Sequence, residues 1–141
     1  MSVGMDTTWL MEVALREHVG HESARATLER LTAAAEIFVV VPQVLCEFVL
    51  VATDGRRFQN PLSMDKAIDL AQRWWNAESV RQVFPTLESV QLGWLWMRQF
   101  QLGRKRILDA QLAATFHVHG ITRILTSNAR DYRIFECFEV V

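Results

Sequence analysis

The sequence predicts an α/β domain with a parallel sheet and helices on both of its faces, and three observations carry that prediction. Short apolar runs alternate with single helical patterns or helical pairs along the chain, an order that requires parallel pairing through right-handed crossovers. The run Ile37 to Val41 contains no polar residue and is rich in β-branched ones, as befits a central strand buried on both faces. No repeat, linker or low-complexity stretch interrupts the pattern, and 141 residues suffice for one core, so residues 1–141 read as a single domain.

The first strand is Ser2 to Met5, ending at Asp6. Thr7 and Thr8 offer capping hydroxyls to a helix over Trp9 to Glu17 with Leu10, Val13 and Ala14 inward. Gly20 breaks it, and Glu22 to Ala34 resumes with the stripe Ala24, Leu28 and Leu31. After the strand Ile37 to Val41, Pro42 suits a first helical position, which predicts a helix to Ala52. Ser63 caps the next, running to about Glu78 with Ala67, Ile68, Ala71 and Trp75 inward. Val80 to Phe84 is a third strand, stopped by Pro85, and Leu87 to Gln101 returns to helix with Val90, Trp94 and Met97 on one face. Gly103 leads through the basic loop Arg104 to Arg106 into a helix from Ile107 to His119, its inner side Leu108, Leu112, Ala113 and Phe116, ended by Gly120. Ile121 to Leu125 and Ile134 to Val141 complete the strands.

Composition excludes several classes. No apolar run approaches the roughly 18 to 20 residues that cross a bilayer, and MSVGMDTTWL lacks the basic region and apolar core of a secretory signal. A cytoplasmic protein is expected. Cys46 and Cys137 sit among apolar neighbours and read as small buried hydrophobes rather than a disulfide. His117 and His119 are two apart on a helix and do not face one way, so they read as cations at a helix end rather than zinc ligands. His18 and His21 fall at a turn and read as solvated. Of the paired tryptophans Trp74, Trp75, Trp94 and Trp96, at most one of each pair can face the core. A formal charge of −1 argues against gripping nucleic acid by bulk electrostatics, but the basic residues crowd between Arg98 and Arg133, where the acids are Asp109 and Asp131.

Asp6, Glu47, Asp109 and Asp131 each fall at a strand end or in the first helical turns after one, 41, 62 and 22 residues apart. Such positions gather at the carboxyl edge of a parallel sheet, where ligands bind. Thr126, Ser127 and Asn128 lie just past a strand at that same edge. Glu47 is a single charge in a nearly all-apolar helix, a costly placement unless it is paired or bound to a cation. Like charges a few Å apart stay ionised only when something neutralises them. An all-oxygen donor set points to magnesium or manganese, whose chemistry suits phosphodiester hydrolysis.

Met5-Asp6-Thr7-Thr8-Trp9-Leu10, Val44-Leu45-Cys46-Glu47-Phe48, Leu108-Asp109-Ala110-Gln111-Leu112 and Thr126-Ser127-Asn128-Ala129-Arg130-Asp131-Tyr132 resemble the four acidic motifs of the PIN-domain ribonucleases, specifically the VapC toxins of bacterial toxin–antitoxin pairs. The resemblance covers nearly the whole chain. It implies a three-layer α/β/α sandwich with a five-stranded parallel sheet, Mg2+-dependent endoribonuclease activity with Mn2+ as a substitute, a homodimer, and a VapB-type antitoxin that blocks the site. By the same resemblance Asp6 and Asp109 are the principal metal ligands and Glu47 and Asp131 the other acids, and Thr7, Thr126 and Asn128 order the site. Arg104, Lys105, Arg106 and Arg130 are the candidate RNA contacts. The chain departs from the family at Thr8, usually Asn or Ser, at Trp9, usually a small aliphatic, and at Tyr132, usually Phe.

A haloacid-dehalogenase-type phosphatase needs a second acid where Thr8 stands, and a receiver domain needs an acid where Phe84-Pro85-Thr86 stands. The alternative from another class is a PIN-fold module that binds RNA or protein without cutting. Such modules lose acids, and all four are present here.

Overall fold

A computed structural model describes residues 1–141. Five strands form one sheet: β1 (Ser2–Met5), β2 (Ile37–Val40), β3 (Val80–Gln82), β4 (Arg123–Leu125) and β5 (Glu139–Val140). Their order is β3-β2-β1-β4-β5 and every pair is parallel. The helices are α1 (Thr7–Ala14), α2 (His21–Ala33), α3 (Pro42–Ala52), α4 (Met64–Asn76), α5 (Leu87–Gln99), α6 (Ile107–Val118) and the short α7 (Ala129–Arg133). From β1 the chain winds outward to β2 and β3, then reverses to β4 and β5. Right-handed crossovers therefore lay α1 to α4 on one face and α5 and α6 on the other, the expected three layers. The reversal leaves a crevice between the carboxyl ends of β1 and β4, the usual ligand position in such sheets. No helix is long and apolar enough to cross a membrane.

Local chemistry explains the boundaries. Pro42 occupies the first turn of α3, where its missing N–H costs nothing. The Ser63 hydroxyl accepts from Lys66 N at 3.2 Å to start α4, and Thr86 with Ser89 forms a reciprocal capping pair on α5. Gly120, at φ +76°, supplies the left-handed residue after α6.

The core is continuous through Val3, Met5, Phe38, Val39, Val40, Phe116, Ile124 and Leu125. Trp9 is part of it: its ring stacks on Phe38 at 6.2 Å and meets Trp74 edge-on. Trp96 stacks on Phe135 at 4.6 Å. Against the helical pattern read for α5, Trp94 is exposed, and the side turned inward carries Ser89, Gly93 and Trp96. Small residues lie there because α6 packs close, with the Gln111 amide against Gly93. Leu108 and Ile68, read as inward, are exposed as well. Trp75 is half-buried, edge-on to Phe84.

Other expectations are corrected at the ends of elements. The helix read as Trp9 to Glu17 is Thr7–Ala14, because Asp6 rather than a threonine caps it and Leu15 turns extended to bury its side chain. The strand read as Ile134 to Val141 shrinks to Glu139–Val140. Phe135 and Phe138 pack on Trp96 and Tyr132 instead of alternating along a strand, and Glu136 turns the backbone at φ +60°. Cys46 is exposed on α3, Cys137 is half-buried, and both are free thiols. His18 and His21 are not simply solvated: the His18 ring accepts from Gly20 N, and His21 Nδ1 lies 2.8 Å from the Glu12 carbonyl.

The tightest approach in the sheet lies at Gly4, where an added Cβ would stand 2.9 Å from the Phe116 ring and 3.1 Å from Ile124 Cδ1. Overfilling such a site costs about 1–3 kcal/mol. Gly4→Ala is expected to lower stability by that amount in urea denaturation followed by far-UV circular dichroism.

Candidate metal and phosphodiester site

Asp6 follows β1 directly and is buried. Its Oδ1 accepts from Thr7 N at 2.8 Å and so caps α1, a contact worth about 1 kcal/mol. Its Oδ2 accepts from the Thr8 hydroxyl at 3.0 Å and the Thr126 hydroxyl at 2.8 Å. Those hydroxyls are aimed in turn by the loop after β4, since Ser127 N donates to Thr8 Oγ1 and Asn128 N to Thr126 Oγ1, both at 3.0 Å. Thr8, a departure from the family pattern, thus keeps the hydroxyl that the position uses.

Glu47 points from α3 toward the same crevice. It has no arginine partner: Thr7 Oγ1 donates to Oε2 at 3.1 Å and Gln43 Nε2 to Oε1 at 3.0 Å. Asp109, on the first turn of α6, and Asp131, on α7, share Arg106. The arginine Nε lies 3.1 Å from Asp109 Oδ2, and Nη1 is 3.7 Å from Asp131 Oδ1. Burial raises the Asp109 carboxyl above its ordinary value of 3.8, the charges of Asp6 and Asp131 push the same way, and Arg106 opposes them. The Tyr132 hydroxyl is buried beneath the acids without a hydrogen-bond partner. Burial first, then the charges of Asp6 and Asp109, push its phenol well above the usual tyrosine value. It points at Asp6 but falls outside hydrogen-bonding geometry.

Asp6, Thr7, Thr8, Glu47, Asp109, Asn128 and Asp131 line one polar cavity of about 380 Å³. Met11, His18, Val51, Arg57, Phe58 and Ser127 complete its wall. Sequence patterns gave no sign of His18, Arg57 or Phe58, which arrive on the loops after α1 and α3; the Asp54-Gly55 turn that sets Arg57 and Phe58 in place was the available clue. Arg104, Lys105 and Arg130 are exposed, form no salt bridge and do not line the cavity. A separate groove of about 500 Å³, lined mainly by apolar side chains such as Leu45, Val49 and Trp75, runs between α3 and α4.

Comparison with known proteins settles the family. The PIN domain model matches residues 5–135, which is most of the chain. The chain belongs to the PIN-domain family. Ribonuclease VapC24 of Mycobacterium tuberculosis is 25% identical over 139 residues, covering 94% of this chain and 90% of that protein. Among solved structures, VapC20 of M. tuberculosis, described as a toxin that cleaves the sarcin–ricin loop, superposes with a TM-score of 0.71 at 18% identity, over 93% of each chain. VapBC-1 from nontypeable Haemophilus influenzae gives 0.69 at 13% identity, over 100% of this chain and 97% of that one. VapBC2 from Rickettsia felis, bound to a promoter DNA fragment, gives 0.69 at 11%, over 100% and 98%.

In this PIN domain the donor set is all oxygen, as hard divalent cations require. The raised Asp109 carboxyl and the like charges facing it mark a cluster short of cations. On that chemistry the residues fit such an ion. The side chains are not drawn in around a single point, however: no three of them close to ligating distance. They stand as two pairs, Asp6 and Glu47 held by neutral donors, Asp109 and Asp131 held by Arg106.

Two stability measurements check this description. Ionised Asp109 costs the fold stability above its raised native value, and that cost vanishes as pH falls through it toward 3.8. Asp109→Asn is therefore expected to melt above the parent at neutral pH in EDTA, with the gap closing on acidification. Tyr132→Phe removes an unpartnered buried hydroxyl and is expected to gain about 1 kcal/mol in the same buffer, read by thermal denaturation.

Proposed function

We propose that this PIN domain is a metal-dependent endoribonuclease, the toxin of a toxin–antitoxin pair, with Asp6, Glu47, Asp109 and Asp131 as its ion-binding acids. The observation that carries the reading is the meeting of those acids, from separate segments of the chain, in one polar cavity at the sheet's switch point. The relative named a ribonuclease supports it, as does the fold shared with a toxin described as cleaving the sarcin–ricin loop. Two neighbours determined as VapBC complexes support a VapB-type antitoxin as partner. The substrate is RNA, the ion Mg2+ with Mn2+ as a substitute, the compartment the cytoplasm, and the active assembly a homodimer.

A divalent ion, when bound, supplies the positive charge that lets water attack phosphorus at neutral pH and that steadies the phosphoryl oxygens. Asp6 and Asp109 would hold it first, with Asp131 and Glu47 beside them. The chain's own work is positional. Thr8 and Thr126 fix the plane of the Asp6 carboxylate, and Thr7 with Gln43 does the same for Glu47. Asn128 acts through its backbone N–H on Thr126 rather than as an acid or base. Arg104, Lys105 and Arg130, exposed and unpaired, draw the phosphate backbone toward the cavity. In the reaction water adds to phosphorus in line, the bond to the leaving ribose oxygen breaks, and that oxygen takes a proton.

Purified protein is expected to cut RNA with Mg2+ or Mn2+ and to stop with EDTA. Asp6→Asn and Asp109→Asn should each reduce cleavage to the EDTA background while keeping a folded circular dichroism spectrum. Parent-like cutting by both variants would remove these acids from the chemistry. An absence of saturable Mn2+ binding to the parent would favour a PIN-fold module that binds without cutting.

A further inference from the structure

We propose that Arg106 is a built-in cation of the acidic cavity, standing where a second metal ion would bind, so that the site takes a single divalent ion. The inference rests on the metal-dependent reading above.

All three guanidinium nitrogens of Arg106 are committed to the acids or their backbone. Nε meets Asp109 Oδ2 at 3.1 Å, Nη1 meets Asp131 Oδ1 at 3.7 Å, and Nη2 donates to the Asp131 carbonyl at 2.7 Å. The guanidinium thus bridges α6 and α7 at the point where their two carboxylates face each other. Its neighbours behave otherwise: Arg104 and Lys105, in the same single turn of 3₁₀ helix, are exposed and pair with nothing. Arg106 is therefore separated from the basic face and is not free to meet a phosphate as they are.

Helix electrostatics does not explain its place. Arg106 sits at the N-cap of α6, the end where the helix dipole disfavours a cation. The carboxylates outweigh that, and the backbone bond to Asp131 fixes the geometry. A second dication bound to Asp109 and Asp131 would have to share the oxygens that Arg106 already contacts at 3.1 and 3.7 Å, placing like charges a few Å apart.

On the opposite side no cation meets the acids: Arg57 also lines the cavity, but its partner is Asp54 at 3.9 Å. Asp6 and Glu47 receive only hydroxyl, amide and backbone N–H donors. Arg106 engages Asp109 through Oδ2, and Oδ1 accepts no hydrogen bond from the protein. A divalent ion would therefore be held from the side of Asp6 and Glu47, where no arginine meets the acids, without displacing Arg106.

The test is a Mn2+ titration of the full chain without RNA, counting bound ions by the loss of the free-ion electron paramagnetic resonance signal. The parent is expected to bind one ion per chain, Arg106→Gln two, and Arg106→Lys, which keeps a charge there, one. Melting curves in EDTA establish that each variant is folded; should Arg106→Gln not fold, Arg106→Met, which keeps the apolar stem, takes its place with the same expected count. Two ions in the parent, or one in a folded variant lacking the charge, would overturn the inference and leave the metal-dependent reading standing. No bound Mn2+ in parent or variants would overturn both.

Discussion

The Asp6 carboxylate is the junction through which the sheet, its first helix and the loop beyond β4 are registered on one another. Its backbone N–H extends the β1–β4 ladder to the Leu125 carbonyl at 3.0 Å, one side-chain oxygen starts α1, and the other gathers hydroxyls from α1 and from the end of β4. A carboxyl group this buried, with no cation against it, is held by fixed dipoles in place of water. Hydrogen bonds to a charged group contribute about 1.5–3 kcal/mol each, so the set is large on the scale of a small domain's net stability. The same bonds that hold the fold together at this edge also decide which way the carboxylate faces.

From that junction the rest of the cavity follows by charge. Glu47 is brought in by a helix whose other side chains are nearly all apolar, and Thr7, fixed beside Asp6, gives it a donor. Asp109 is carried by the first turn of α6, where helix N–H dipoles favour an acid. Burial and the nearby acids nonetheless raise its carboxyl against that preference. Arg106 answers part of the deficit on one side only. The crevice is thus asymmetric in its counter-charges although the acids are of one kind.

How far the sequence disclosed this depended on how unambiguous the local chemistry was. β1 and α3 were legible residue by residue, because Pro42 cannot lie inside a strand and Ser2 to Met5 meets a polar stop at Asp6. The same stop hid the cap of α1. Asp6, Thr7 and Thr8 are all good caps, so pattern alone could not show that Asp6 does the capping and the threonines serve the acids. In α5 and α6 the rule that large apolar residues face inward fails. The two helices approach closely enough that Gly93 lies against the Gln111 amide, while Trp94 and Leu108 are left outside. The acids themselves were placed by topology, since strand ends in a parallel sheet must share an edge. The ionic tie of Arg106 was not visible, because nothing in a basic loop distinguishes the residue that turns inward from those that stay out.

Trp9 shows what this division means for a family whose members share a fold at 11–18% identity. A bulky ring directly after the Asp6 motif alters the core rather than the cavity, since it is absorbed between Phe38 and Trp74. The cavity wall is completed instead by Met11, from the core, and by the loop residues His18, Arg57 and Phe58. Acids anchored at strand ends and helix starts are held by backbone geometry, which survives extensive replacement of the side chains around them. Loop residues carry no such constraint, and they vary without disturbing the sheet. Selection among RNA targets on this scaffold is therefore expected to reside in the wall formed by those loops, while the acids stay fixed by the ends of β1 and β4.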